Sequence, residues 1–142
     1  MFTYRRTIRF HETDAAGVVY FANVLTLCHE AYEASLVDAD VDVKAFFSRG
    51  DVAIPVVHAS VDFRRPLVCG DTIAICLTPR QIDDSVFEIT YRIHPEKSDV
   101  LVATALTRHV CIQTQPRERS ALTPVLIQWL DRFSATQDSQ ES

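Results

Sequence analysis

Glycine is scarce in this chain, at three of 142 residues, tryptophan and methionine occur once each, and no basic excess is present: 14 Lys and Arg stand against 19 Asp and Glu, a formal net charge of −5. Each shortage excludes a class. So few glycines rule out a collagen-like repeat or a Gly-rich linker, and 47% hydrophobic with 23% charged residues rules out a disordered tail protein. The negative balance argues against a general nucleic-acid binder, which needs a basic surface to displace counterions from phosphates. A few clustered arginines still suffice for a small anionic ligand. Long apolar runs are missing too: the longest, AAGVVYFANVL at 15–25, carries Asn23 and is too short to span a bilayer. The opening MFTYRRTIRFHETD lacks the apolar stretch and small-residue cleavage site of a signal peptide, so a cytoplasmic location without a membrane partner is expected. Cys28, Cys69, Cys76 and Cys111 show no CxxC or other short metal-ligand spacing and sit in apolar segments. They read as small core residues in a reducing compartment.

What is present is regular. A chain of this length is expected to form one domain, here 1–133, followed by a disordered tail at 134–142. Tyr4, Ile8 and Phe10 alternate on one face of a first strand, and the polar loop HETDAAG follows. From about Phe21 to Val37 the pattern is helical, with Thr26, Glu30 and Glu33 as a narrow polar stripe and apolar residues around most of the circumference. Such a helix must be enclosed on several sides. DADVDVKAFFSRGD predicts a short amphipathic turn or helix. Four strands come next: 57–63, then the alternations Ile73, Ile75, Leu77 and Phe87, Ile89, Tyr91, Ile93, and finally Val100 to Thr114, apolar on both faces and so suited to mid-sheet. Together these predict an α+β domain in which a five-stranded antiparallel sheet curls around one central helix. The even-numbered residues of the later strands are only half polar, which predicts that part of the outer face packs against another subunit.

The most informative stretch is HETDAAGVVYFAN at 11–23. Asp14 stands in a loop, Gly17 permits a tight turn three residues later, and an apolar helix begins. A carboxylate beside the free N–H groups of a helix's first turn is suited to acyl transfer, the donors polarising a carbonyl while the carboxylate attacks it or activates water. The same pattern also suits an Asp that merely caps the helix. His11, Asp14, His29 and Glu30 lack the spacing of a metal site, and no metal or cofactor is expected.

The segments TDAAGVVYFANV, CHEAYE and PVVHASVDFRRPLVCGD resemble the hot-dog-fold acyl-CoA thioesterases of the 4-hydroxybenzoyl-CoA thioesterase type, and within them the 1,4-dihydroxy-2-naphthoyl-CoA hydrolases of cyanobacterial and plant phylloquinone synthesis. The likeness spans roughly residues 4 to 115. It implies Asp14 as catalytic carboxylate and the backbone N–H of Phe21 as oxyanion donor, with Gly17 and Tyr20 in the substrate site. Many thioesterases of the Tol-Pal-associated branch have YHAN where this chain has YFAN, a departure that weakens assignment to that branch. The resemblance further implies dimers with the site at the subunit boundary, assembled as a homotetramer.

Other residues carry two readings each. His58 and Ser60 project opposite to Val57, Ala59 and Val61, and either line the acyl pocket or face a partner subunit. Phe46 and Phe47 either close over an aromatic acyl group or pack. Arg64, Arg65, Arg117 and Arg119 lie at strand ends, placed to meet the phosphates of coenzyme A or simply solvated. The leading function is hydrolysis of an aromatic acyl-CoA, 1,4-dihydroxy-2-naphthoyl-CoA, to the acid and coenzyme A. An aliphatic acyl-CoA or acyl-carrier-protein substrate is the alternative within the class, and a non-catalytic acyl-CoA sensor the alternative outside it.

Overall fold

The computed structural model describes residues 1–48 and 50–135. In chain order the elements are β1 (Phe2–Thr7), α1 (Asn23–Asp38), α2 (Val43–Ser48), β2 (Val52–Ala53), β3 (Val56–Phe63), β4 (Thr72–Gln81), β5 (Val86–Pro95), β6 (Ala103–Val110), β7 (Ile112–Thr114), β8 (Arg117–Arg119) and α3 (Pro124–Phe133), with a 3-10 turn at Phe10–Glu12. Five strands form one antiparallel sheet in the order β1-β4-β5-β6-β3. The odd residues of β4 and β5 give it an apolar face: Ile73, Ile75, Leu77, Phe87, Ile89, Tyr91 and Ile93 are all buried. They meet Leu27, Cys28, Ala31, Tyr32 and Leu36 of α1 in one core. Each of the large aliphatic and aromatic side chains among them contributes about 1.5–3 kcal/mol on leaving water, so this seam is a major source of the fold's stability.

Several expectations need correction. Phe10 is not a strand residue: it lies in the 3-10 turn and is 81% exposed, while Ile8 is buried in the core and Tyr4 packs against it. The long apolar segment 100–114 is not one strand. β6 runs between β5 and β3 as expected of a two-faced apolar strand, but the chain breaks at Cys111, whose N–H bonds to Ser85 C=O at 2.7 Å. β7 then leaves for a second, three-stranded sheet ordered β2-β7-β8. Cys28 and Cys111 are core residues, whereas Cys76 is half-buried and Cys69 is exposed in the turn before β4.

α3 was not expected. Thr123 caps it by accepting from Leu126 N–H at 3.4 Å, Pro124 occupies its first turn, and Leu126, Trp129, Leu130 and Phe133 form its buried stripe. The helix lies beside α1, where Trp129 Nε1–H donates to Ser35 Oγ at 2.9 Å. Met1 is tied to its end, the terminal amine donating to Phe133 C=O at 2.7 Å. Of the tail read as 134–142, Ser134 still bonds through its N–H to Leu130 C=O at 2.8 Å, and 136–142 lie outside the described residues.

β3 is one of the sheet's two edge strands. Every residue of it except Val61 is exposed, including Val56, Val57 and Phe63. α1 is likewise less enclosed than its composition suggests, with Val37 56% exposed. An eight-residue edge strand with apolar side chains is a ready template for another strand.

Candidate active site

The loop between β1 and α1 is built by a tight hairpin. Thr13 and Val19 pair, Asp14 N–H donates to Val18 C=O at 2.8 Å, and Gly17 N–H donates to Asp14 C=O at 2.9 Å. Gly17 closes it at φ +82°, a left-handed conformation that costs other residues energy. The Asp14 carboxylate accepts Ala16 N–H through Oδ1 at 2.8 Å, while Oδ2 has no partner among the described residues. Asp14 therefore stands exposed at the loop tip, and it does not cap α1. The N-cap is Ala22, which makes no side-chain cap, because the hairpin and the turn at 20–22 separate Asp14 from the helix start at Asn23.

That turn is held from below. Glu12 C=O accepts both Tyr20 N–H and Asn23 Nδ2–H, each at 2.9 Å. Glu12 itself is buried, its carboxylate bound by Arg9 N–H at 2.8 Å and by the guanidinium of Arg6, which also pairs with Glu30 on α1. Between the two clamped positions, the N–H groups of Phe21 and Ala22 meet no acceptor among the described residues. Sequence reasoning missed Arg6, Glu12 and Asn23. The readable signal was Arg6, which shares the inward face of Tyr4 and Ile8 and as a buried guanidinium requires a carboxylate.

The hairpin is stitched to the segment after β3. Val18 bridges Val68, and Val19 N–H donates to Leu67 C=O at 2.8 Å. The resulting cavity of about 430 Å³ is lined by Asp14, Tyr20, Phe21, Val24, Phe63, Arg64, Arg65, Leu67 and Ala103. Its volume lies in the range of small-molecule sites. It combines an available carboxylate, Phe21 with its unpaired N–H just before the helix start, an apolar floor and two arginines.

The other singled-out residues lie elsewhere. His58 and Ser60 pair with Arg108 and Leu106 across the sheet, on the face opposite to the Val61–Ala105 pair that looks toward α1, so within one chain they do not line this cavity. Phe47 lines a different cavity of about 530 Å³, between α2, β2 and α3, and touches His29 and Tyr32 with ring centroids at 6.1 and 6.3 Å. Arg117 and Arg119 sit on β8, where Arg119 lies 3.9 Å from Asp83. No group of His, Cys, Asp or Glu among the described residues could hold a metal ion.

Comparison with known proteins agrees with this architecture. Residues 8–130 match the model of the thioesterase-like superfamily. A 1,4-dihydroxy-2-naphthoyl-CoA hydrolase of Nostoc punctiforme is 53% identical over 130 residues, covering 92% of this chain and 86% of that one. Its counterpart in Gloeothece citriformis is 50% identical over 141 residues, covering 99% of both chains. The crystal structure of a 1,4-dihydroxy-2-naphthoyl-CoA thioesterase from Synechocystis superposes with a TM-score of 0.88 at 40% identity, covering 92% of this chain and 95% of that one. A motif of carboxylate, turn glycine and helix start, on a sheet wrapped over one long helix and in relatives this similar, leaves no doubt of kinship: the chain belongs to the thioesterase-like superfamily and has its hot-dog fold.

Proposed function

We propose that this chain hydrolyses 1,4-dihydroxy-2-naphthoyl-CoA to 1,4-dihydroxy-2-naphthoate and coenzyme A, the thioesterase step of phylloquinone synthesis. The relatives at 50–53% identity over nearly the whole chain carry that activity in their names. The observation that carries the chemistry is the sharing of one cavity by the Asp14 carboxylate and the unpaired Phe21 N–H. In this reading the Phe21 N–H, aided by that of Ala22, holds the thioester oxygen as it gains charge. Asp14 drives the addition, by attacking the carbonyl carbon or by taking a proton from the water that does. The carbon–sulfur bond then breaks, the thiolate leaves with coenzyme A, and water supplies the oxygen of the acid. Arg64 and Arg65, at the cavity rim, take phosphates of coenzyme A.

A homotetramer is part of this reading, with the site at a subunit boundary. Its support is the unpaired apolar edge of β3 and the ring of exposed Phe21, Phe63 and Val68 beside the cavity. A cytoplasmic location also belongs to it, supported by four cysteines standing as separate thiols. The test is a substrate panel. The naphthoyl thioester is expected to exceed palmitoyl-CoA in kcat/KM by about 10⁴-fold, since a site that bonds ring hydroxyls rejects chains lacking them. A fatty acyl-CoA as the better substrate would replace this reading.

A further inference from the structure

The open state of the Phe21 N–H depends on a clamp. Glu12 C=O takes the two donors that flank it, Tyr20 N–H and Asn23 Nδ2–H, each at 2.9 Å. Glu12 cannot drift, because its own carboxylate is fixed by Arg9 N–H and Arg6. Asn23 occupies the first turn of α1, where helix electrostatics favour an acid over an amide. An aspartate there would help the helix but has no hydrogen to give a carbonyl. The amide is thus employed on the turn and contributes nothing as a helix cap. Granted that Phe21 is the oxyanion donor, on which this rests, we propose that Asn23 is a positioning residue for the thioesterase reaction: its side-chain amide, bound to Glu12 C=O, aims the Phe21 N–H into the cavity.

Asn23→Asp separates this role from a structural one. The added charge sits at a helix N-terminus and preserves α1, while its oxygens repel the Glu12 carbonyl and release the turn. Displacement of a reacting group by about 1 Å costs on the order of 10²-fold, so kcat is expected to fall about 10- to 100-fold. KM and melting temperature should stay close to wild type. A second readout is the Phe21 amide resonance of ¹⁵N-labelled protein, with a ketone analogue in which one CH₂ separates the coenzyme A sulfur from the aryl carbonyl. The wild-type resonance should shift on adding the analogue, and the Asn23→Asp resonance should not. A shift in both proteins with unchanged kcat would overturn the role of Asn23. So would a kcat loss that merely follows a large fall in melting temperature. Absence of the shift in the wild type would instead remove Phe21 as donor, and with it the reading beneath.

Discussion

Just before α1 Phe21, whose N–H has no acceptor among the described residues, lines a cavity, whereas midway along the helix the Tyr32 hydroxyl is sealed in the core with no partner among the described residues, beside an equally unpaired Nδ1 of His109. Both places hold unsatisfied polar atoms, yet the energetics differ. Phe21 is 62% exposed, so water can satisfy its N–H at little cost to folding. Tyr32 and His109 are 2% and 1% exposed, and an unmade hydrogen bond there costs the fold about 1–3 kcal/mol. The contrast separates a solvated vacancy, which the proposed mechanism gives to the thioester oxygen, from one tolerated by the core. Around Tyr32 the compensation is aromatic: Phe87, His109 and Trp129 lie with ring centroids 5.2–6.4 Å from it.

The largest test strikes the first vacancy. Asp14→Asn preserves the hairpin, since an amide oxygen can still accept Ala16 N–H, but removes the charge and nearly all nucleophilicity. The turnover number should fall about 10²- to 10⁴-fold with the melting temperature almost unchanged. Single-turnover kinetics beside a thermal melt check both halves. A folded variant hydrolysing at near wild-type rate would leave Asp14 a loop residue and detach the vacancy from catalysis.

Much of the first region was legible because its signals are local. Asp14, Gly17 and the apolar start of α1 lie within a dozen residues, and the alternation of Ile73, Ile75, Leu77 and of Phe87, Ile89, Tyr91, Ile93 needs only period two. The reading failed where elements meet across the chain. Arg6, Glu12 and Glu30 come from a strand, a turn and a helix, and no short-range pattern shows that their charges converge. Phe47, read either as a wall for the acyl group or as packing, lines a cavity built with β2 and α3. α3 itself was readable in the Thr123-Pro124 start and the spacing of Leu126, Trp129, Leu130 and Phe133. His58 and Ser60 were correctly set opposite to Val61, yet which face carries the site depends on where α1 lies over the sheet.

The second region predicts acid sensitivity. Burial holds His109 down to about 4, with repulsion from His29 adding to it, so the folded protein keeps it neutral through most of the mildly acid range. The unfolded chain takes up that proton near pH 6.5. Below that pH the unfolded state therefore binds more protons, and stability falls as pH drops from about 6.5 toward about 4. By pH 4 the loss from this one residue should reach about 3 kcal/mol. His109→Gln removes the titration and keeps a polar partner for Thr107 Oγ1, which meets His109 Nε2 at 2.8 Å. Urea unfolding at pH 7 and pH 4 should show the variant losing about 3 kcal/mol less than the wild type. Equal losses in both proteins would mean that His109 titrates alike folded and unfolded.

The smallest effect tests the tolerated vacancy most directly. Tyr32→Phe deletes one hydroxyl that makes no hydrogen bond among the described residues and leaves the ring's contacts with Phe87 and Trp129 in place. Two terms compete: relief of the buried orphan, about 1–3 kcal/mol, against the small void left by one oxygen. A void below methyl size costs at most about 1 kcal/mol. Relief should win, raising stability by about 1 kcal/mol and the melting temperature by about 3 °C in a domain of this size. Turnover should be unchanged, because Tyr32 does not line the Asp14 cavity. A loss of stability instead would show that the hydroxyl is satisfied in solution, by a trapped water between Tyr32 and His109. The core vacancy would then be a filled polar site, and the two regions of α1 would differ in what fills them and no longer in whether anything does.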